Sequence, residues 1–140
     1  MKCVIDSSVA VKWVLPEVDS DKADALRLDF QKGVHEFLAP GVFTVEAAHA
    51  LTRAERQGRV TVGDARKLLI EILTTPPRPV SSQQYLLRAT DISSAMQIGV
   101  YDFLYIALAD DEKCDFITAD DKLVKRFQAQ FSFIKHLSTF

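Results

Sequence analysis

The period of the apolar positions changes several times along this chain. "KCVI", residues 2–5, is a short apolar run that fits a buried strand, with Asp6 at its C-terminal end. "SSVAVKWVL" follows as a short helix closed by Pro16. "DSDKADALRLDFQKG" places Ala23, Leu26 and Phe30 on one helical face, and Gly33 stops it. "HEFLAP" predicts a second short strand. After Pro40 and Gly41, "VFTVEAAHALTRAERQG" predicts a long helix with a buried stripe of Phe43, Ala47, Ala50 and Ala54. Glu46 falls at the margin of that stripe, beside Val42, His49 and Arg53, and Gly58 ends the helix.

"TVGDARKLLIEIL" predicts the next helix, and its Thr61/Asp64 pair resembles a capping box. The prolines of "TTPPRPV" exclude helix interior and leave a loop with a short edge strand. "SQQYLLRATDISSAMQIG" predicts a helix ending at Gly99. "YDFLYIALA", residues 101–109, is apolar almost all the way round, in a helix running to about Lys113. Asp102 stands at its front, on the stripe of Tyr105, Ile106 and Ala109. A strand in "DFITA", a helix in "DDKLVKRFQAQ" and a last strand in "FSFIKHL" complete the chain. Short strands alternating with helices predict an α/β domain with a mostly parallel sheet. Such sheets bind ligands beyond the C-terminal ends of their strands.

The 140 residues predict one domain over positions 1–140. Hydrophobic residues at 48% and charged residues at 26% suit a soluble globular protein with a proper core. No window of about 20 apolar residues exists, which excludes a membrane-spanning helix. The apolar start is interrupted by Asp6 and Lys12, and its runs are too short for a signal peptide. Cys3 and Cys114 form no C-x-x-C and no Cys/His cluster, which reads as a reduced, cytoplasmic protein without structural zinc. His35, His49 and His136 show no ligand spacing. The net charge of −2 means that nucleic acid could be held only by a local basic patch. Arg53, Arg56, Arg59, Arg66 and Lys67 make one such region around Gly58, either a solvated face or a phosphate-contacting one. Trp13 reads as core or interface, and the run Asp110, Asp111, Glu112 as solvated surface.

The candidate chemistry lies in acids far apart in sequence. Asp6 follows its strand directly, and Asp120 follows "FIT" after one residue. Parallel strands would put both on one sheet edge. The helix of Asp102 ends just before "FIT", so it runs antiparallel to that strand and starts at the same edge. Glu46 lies roughly 8–9 Å into a helix that also starts there. Each Asp alone reads first as a helix cap, and Glu46 alone as a surface residue or a partner for Arg53. Together they read as a carboxylate cluster, whose mutual repulsion a hard divalent cation would relieve. Asp121 is the alternative to Asp120 as the fourth acid. Ser8 and Thr118 are hydroxyls at strand ends, either turn residues or supports of the site.

"VIDSSV", "APGVFTVEAAHAL", "VYDFLYIALA" and "FITADDKL", in this order and spacing, resemble the PIN-domain ribonucleases, above all the VapC toxins of prokaryotic toxin–antitoxin pairs. The likeness runs over essentially the whole chain. It implies a three-layer sandwich around a five-stranded sheet of order 3-2-1-4-5. By the same likeness Asp6, Glu46, Asp102 and Asp120 match the acidic metal positions, and Ser8 and Thr118 the supporting hydroxyls. It also implies Mg²⁺ or Mn²⁺, RNA cleavage, a homodimer, and a small antitoxin protein as partner. Lys12, Arg53 and Arg56 are then the candidate RNA contacts. Phe103 departs from the family, which often has a small residue after the third acid. Two other readings compete: a receiver-like domain that accepts phosphate on an Asp, and a module of this fold that binds RNA or protein without catalysis.

Overall fold

The computed structural model describes residues 1–140. Its strands are β1 (Lys2–Ile5), β2 (Glu36–Pro40), β3 (Arg78–Val80), β4 (Asp115–Thr118) and β5 (Ile134–His136). They form one five-stranded sheet in the order β3-β2-β1-β4-β5, and every neighbouring pair is parallel. The connecting helices are α1 (Ser7–Val11), α2 (Ser20–Gln31), α3 (Phe43–Arg56), α4 (Asp64–Ile72), α5 (Gln83–Met96), α6 (Val100–Glu112) and α7 (Asp121–Phe127). A 3-10 turn over Leu137–Thr139 follows β5.

Both faces of the sheet are covered, which explains why its inner strands are continuous apolar runs. Cys3 of β1 pairs with Phe37 of β2, and Phe37 stacks on Trp13 and Phe30 with ring centroids 6.2 and 4.8 Å apart. The α1–α2 segment therefore lies over that face. Val4, the next residue, pairs with Leu38 and Phe116, and Phe116 stacks on Tyr105 of α6 at 5.6 Å. The opposite face therefore belongs to α6. Strand alternation then points Asp6 and Thr118, each two residues beyond this row, toward the α6 side.

Helix α6 is apolar all round because it is enclosed all round. Residues Phe103 to Ala109 are buried without a break. The helix rests on β1, β2 and β4, and α5 backs it. Phe103, the bulky residue after Asp102, meets Phe127 of α7 edge-on at 5.2 Å and ties the two helices together.

Several local expectations are corrected. Helix α1 stops at Val11, and Trp13 is core, its indole N–H donating to the Ala23 carbonyl at 3.0 Å. The buried stripe of α3 runs through Phe43, Ala47, Leu51 and Ala54, so Leu51 takes the place given to Ala50. The longer side chain reaches the core where a methyl would leave space. The Thr61/Asp64 capping box does not form. Helix α4 begins behind Gly63, whose φ of +98° suits a residue without Cβ. Thr61 offers only its carbonyl, to Asp64 N at 3.0 Å. The side-chain acceptor is Glu55 of α3, which takes the N–H groups of Gly63 and Ala65 at 3.1 and 2.9 Å. The acidic run at the end of α6 is tied down as well as solvated. Asp110 pairs with Arg88 at 2.9 Å, Asp111 accepts from the Tyr85 hydroxyl at 2.9 Å, and Glu112 pairs with Lys2 at 2.7 Å. No helix is long and apolar enough to cross a membrane.

Because Glu55 satisfies two N–H groups at the start of α4, Glu55→Ala is expected to lower unfolding free energy by about 1 kcal/mol. Thr61→Ala should stay within about 0.5 kcal/mol of the parent. Urea unfolding midpoints at constant m-value check both.

Candidate active site

Pairing of β1 with β4 builds the centre of the site. Ile5 lies opposite Ile117, so Asp6 and Thr118 leave adjacent strands side by side. The chain departs to opposite sides of the sheet after these two strands. Their C-terminal ends therefore border the crevice where such sheets take ligands.

Asp6 is buried, and both its oxygens are engaged. Oδ1 accepts from the Ser8 N–H at 3.1 Å and from the Ser8 hydroxyl, while Oδ2 accepts from the Thr118 hydroxyl. Thr118 Oγ1 also accepts from Asp120 N at 3.1 Å, and Ser8 Oγ accepts from Ala119 N at 2.9 Å. The two hydroxyls thus bolt the start of α1 to the β4–α7 turn. Asp120 is the N-cap of α7, its Oδ1 accepting from Lys122 N at 3.0 Å and Leu123 N at 3.2 Å. For Asp6 and Asp120, capping and site geometry coexist on the same residue.

Asp102 is different. The N-cap of α6 is Gly99, and the Asp102 carboxylate makes no capping bond. It is half-buried in the first turn, where the helix dipole favours an acid. Glu46, in the first turn of α3, is held by the Tyr105 hydroxyl, which donates to Oε1 at 3.0 Å. From the sequence Tyr105 reads only as an apolar neighbour of Asp102. A phenol three residues on, in an otherwise apolar stripe, was the available sign that the stripe carries a hydrogen-bonding group.

The electrostatics join the acids into one cluster. Burial pushes the Asp6 carboxyl up to about 6; the Ser8 and Thr118 hydroxyls oppose this, and Asp120 and Asp102 add to it. Burial pushes Glu46 up to about 7, against the Tyr105 hydrogen bond and with help from Asp6 and Asp102. Asp102 is raised by burial and by Asp120, with Arg126 pulling the other way. Asp6 and Glu46 thus each feel two of the other acids, and Asp102 feels Asp120. They face one another without closing into a cage, since no three His, Cys, Asp or Glu side chains are drawn together as an ion site. The donor set is wholly oxygen, from carboxylates and hydroxyls, and this chemistry fits Mg²⁺ or Mn²⁺ and not a soft metal.

The remaining sequence candidates are placed as follows. Asp121 turns its exposed carboxylate to His136, with Oδ1 2.7 Å from Nε2, while Asp120 is the acid that acts on Asp6 and Asp102. Arg53 and Arg56 are exposed in the last turn of α3, roughly 10–15 Å along the axis from Glu46. Lys12 lines a cleft together with Ser8 and Ala119.

A family model described as PIN domain matches residues 3–128. Among solved structures, the chain is similar to PAE2754 from Pyrobaculum aerophilum, with a TM-score of 0.71 and 18% identity, covering 99% of this chain and 94% of that one. It is also similar to VapBC2 from Rickettsia felis, solved bound to a DNA fragment from their promoter. There the TM-score is 0.63 and the identity 11%, covering 97% of this chain and 98% of that one. At these identities the likeness is one of fold. No curated protein matches the sequence.

The raised carboxyls carry a stability signature. Between the ordinary Glu value and about 7, the folded protein holds a proton on Glu46 that the unfolded chain has released. Folding stability from this group is therefore present at low pH and lost as pH rises toward 7. In chelator, Glu46→Gln should match the parent near pH 4.5. At pH 8 it should be more stable by about 1–2 kcal/mol, allowing for solvent screening of a half-exposed group. Urea denaturation of both proteins at the two pH values measures this.

Proposed function

The chain belongs to the PIN-domain family, and from that premise we propose that it is a metal-dependent endoribonuclease, a single PIN-like domain over residues 1–140 acting as the toxin of a VapBC-type pair. The observation that carries the reading is Asp102. Its half-buried carboxylate caps nothing, and it faces the other acids at the edge where α/β sheets bind ligands. A half-buried acid with no structural bond of its own carries a desolvation cost that a bound cation would offset.

In this reading Asp6 and Asp102 hold the principal cation. Glu46 and Asp120 would complete its shell, hold a second ion, or orient the attacking water. Ser8 and Thr118 keep Asp6 aimed into the cleft, and Tyr105 does the same for Glu46. When bound, Mg²⁺ or Mn²⁺ supplies neutralisation of the charge that builds on the phosphodiester and makes water a better nucleophile at neutral pH. Water attacks phosphorus in line, the P–O3′ bond breaks, and the 3′ oxygen takes up a proton. The products carry 5′-phosphate and 3′-hydroxyl ends, and no side chain forms a covalent intermediate.

Family likeness, and a structural neighbour described as VapBC2, support a small antitoxin partner, a homodimer and a cytoplasmic setting. The receiver-like alternative fares less well. It gives no role to Glu46, which the Tyr105 hydroxyl holds at 3.0 Å.

Cleavage of single-stranded or structured RNA should require Mg²⁺ or Mn²⁺ and stop in EDTA. Asp6→Asn and Asp102→Asn should each lower the rate by about 10²-fold or more. Full activity in both variants would refute the mechanism. Metal-free protein should also melt at higher temperature as Mg²⁺ rises to millimolar levels, and Asp102→Asn should blunt that rise.

A further inference from the structure

A polar cleft is lined in part by neighbours of Asp6 and Asp120. It encloses about 310 Å³ and is lined by Ser7, Ser8, Lys12, Glu17, Arg59 and Ala119, among others. Ser8 is the residue that holds Asp6, and Ala119 directly precedes Asp120. The cleft therefore opens beside the acidic centre.

Its charge is opposite to that of the centre. Lys12 leaves the end of α1, and Arg59 follows the turn after α3. Between them stands Glu17, from the loop joining α1 and α2, with Oε2 3.0 Å from Arg59 Nη2 and Oε1 3.8 Å from Lys12 Nζ. Two cations thus share one carboxylate, in a chain whose net charge is −2. The Lys12 side chain is only 14% exposed, yet its contact with Glu17 is long. A lysine so enclosed has lost much of its hydration without gaining a close partner. Arg59 is the better paired of the two, and its planar fork suits a phosphate as well as a carboxylate.

We propose that this cleft is a backbone-phosphate subsite for RNA. Lys12 and Arg59 bind a phosphodiester next to the one cleaved, and the Glu17 carboxylate is a built-in competitor that the phosphate displaces. The proposal rests on the nuclease reading and adds how the strand is held: an anionic chain crosses a region of fixed positive charge before entering the acids. It also separates Arg59 from Arg53 and Arg56, which line neither this cleft nor the acidic centre.

A purely structural brace between Glu17 and Arg59 makes a different prediction. Breaking a brace from either side would lower melting temperature and change RNA binding in the same direction. A competitor and its subsite give opposite signs. The test uses the full chain carrying Asp102→Asn in chelator, so that no cleavage occurs. Binding of a short single-stranded oligoribonucleotide is read by fluorescence anisotropy across a salt series. Lys12→Gln and Arg59→Gln should each weaken binding by about 3–10-fold and lower the slope of log K against log salt by about 1. Glu17→Gln should tighten binding by about 3–10-fold, even where its melting temperature falls. Arg59→Lys, which keeps the charge, should recover most of the loss and guards against misfolding of Arg59→Gln. Weaker or unchanged binding in Glu17→Gln, or unchanged binding in both Lys12→Gln and Arg59→Gln, overturns the subsite while an RNA-cleaving parent protein leaves the nuclease reading intact. A parent protein that neither cleaves nor binds RNA with any divalent cation overturns both.

Discussion

The contact on which the rest of this structure turns is the meeting of Asp6 and Thr118 at the ends of β1 and β4. Parallel pairing of Ile5 with Ile117 brings two strands from opposite ends of the chain into register. The Thr118 hydroxyl then donates to a carboxylate that burial alone would neutralise. Ser8 closes the same knot from the α1 side and reaches Ala119 N. Without the two hydroxyls, a buried Asp6 would carry its desolvation cost unopposed. With them it is fixed in direction, and Asp120 and Asp102 are placed relative to it.

The knot is set in an unusually apolar support. Phe103 to Ala109 of α6 are buried continuously, so the helix bearing Asp102 is gripped by the sheet, α5 and α7. A carboxylate at the front of such a helix has little freedom to swing away from its neighbours. Tyr105 extends the rigidity to α3 by holding Glu46. Repulsion among the acids is thus borne by packing, a trade that costs stability in the protein alone and favours whatever cation it binds. The neighbouring cleft of Lys12, Glu17 and Arg59 shares Ser8 with this centre.

Element order was legible along the chain because each strand is a short apolar run and each helix has a clear stop. Gly58 and Gly99 bracket α3 and α6, and the prolines around Arg78 confine β3 to the sheet edge, where a missing N–H is tolerated. The position of Asp6 and Asp120 at strand ends, and of Glu46 and Asp102 in the first turns of their helices, was also legible, since chain direction puts the C-terminal ends of parallel strands and the starts of the following helices on one side. The cap of α4 was not legible. Its acceptor, Glu55, sits on another helix, and a local pattern at Thr61 and Asp64 pointed to a bond that a closer competitor replaced.

By itself, then, the sequence determined the succession of elements and which acids stand at strand ends and in the first turns of helices. These follow from periodicity and chain direction, which are local. Only the tertiary structure decided that Asp121 turns to His136, that Asp102 caps nothing, that Tyr105 holds Glu46, and that Glu17 lies between Lys12 and Arg59. Each depends on where a side chain ends after two distant elements have packed, and hydrogen bonds and ion pairs of a few ångströms are not encoded in spacing along one strand or helix.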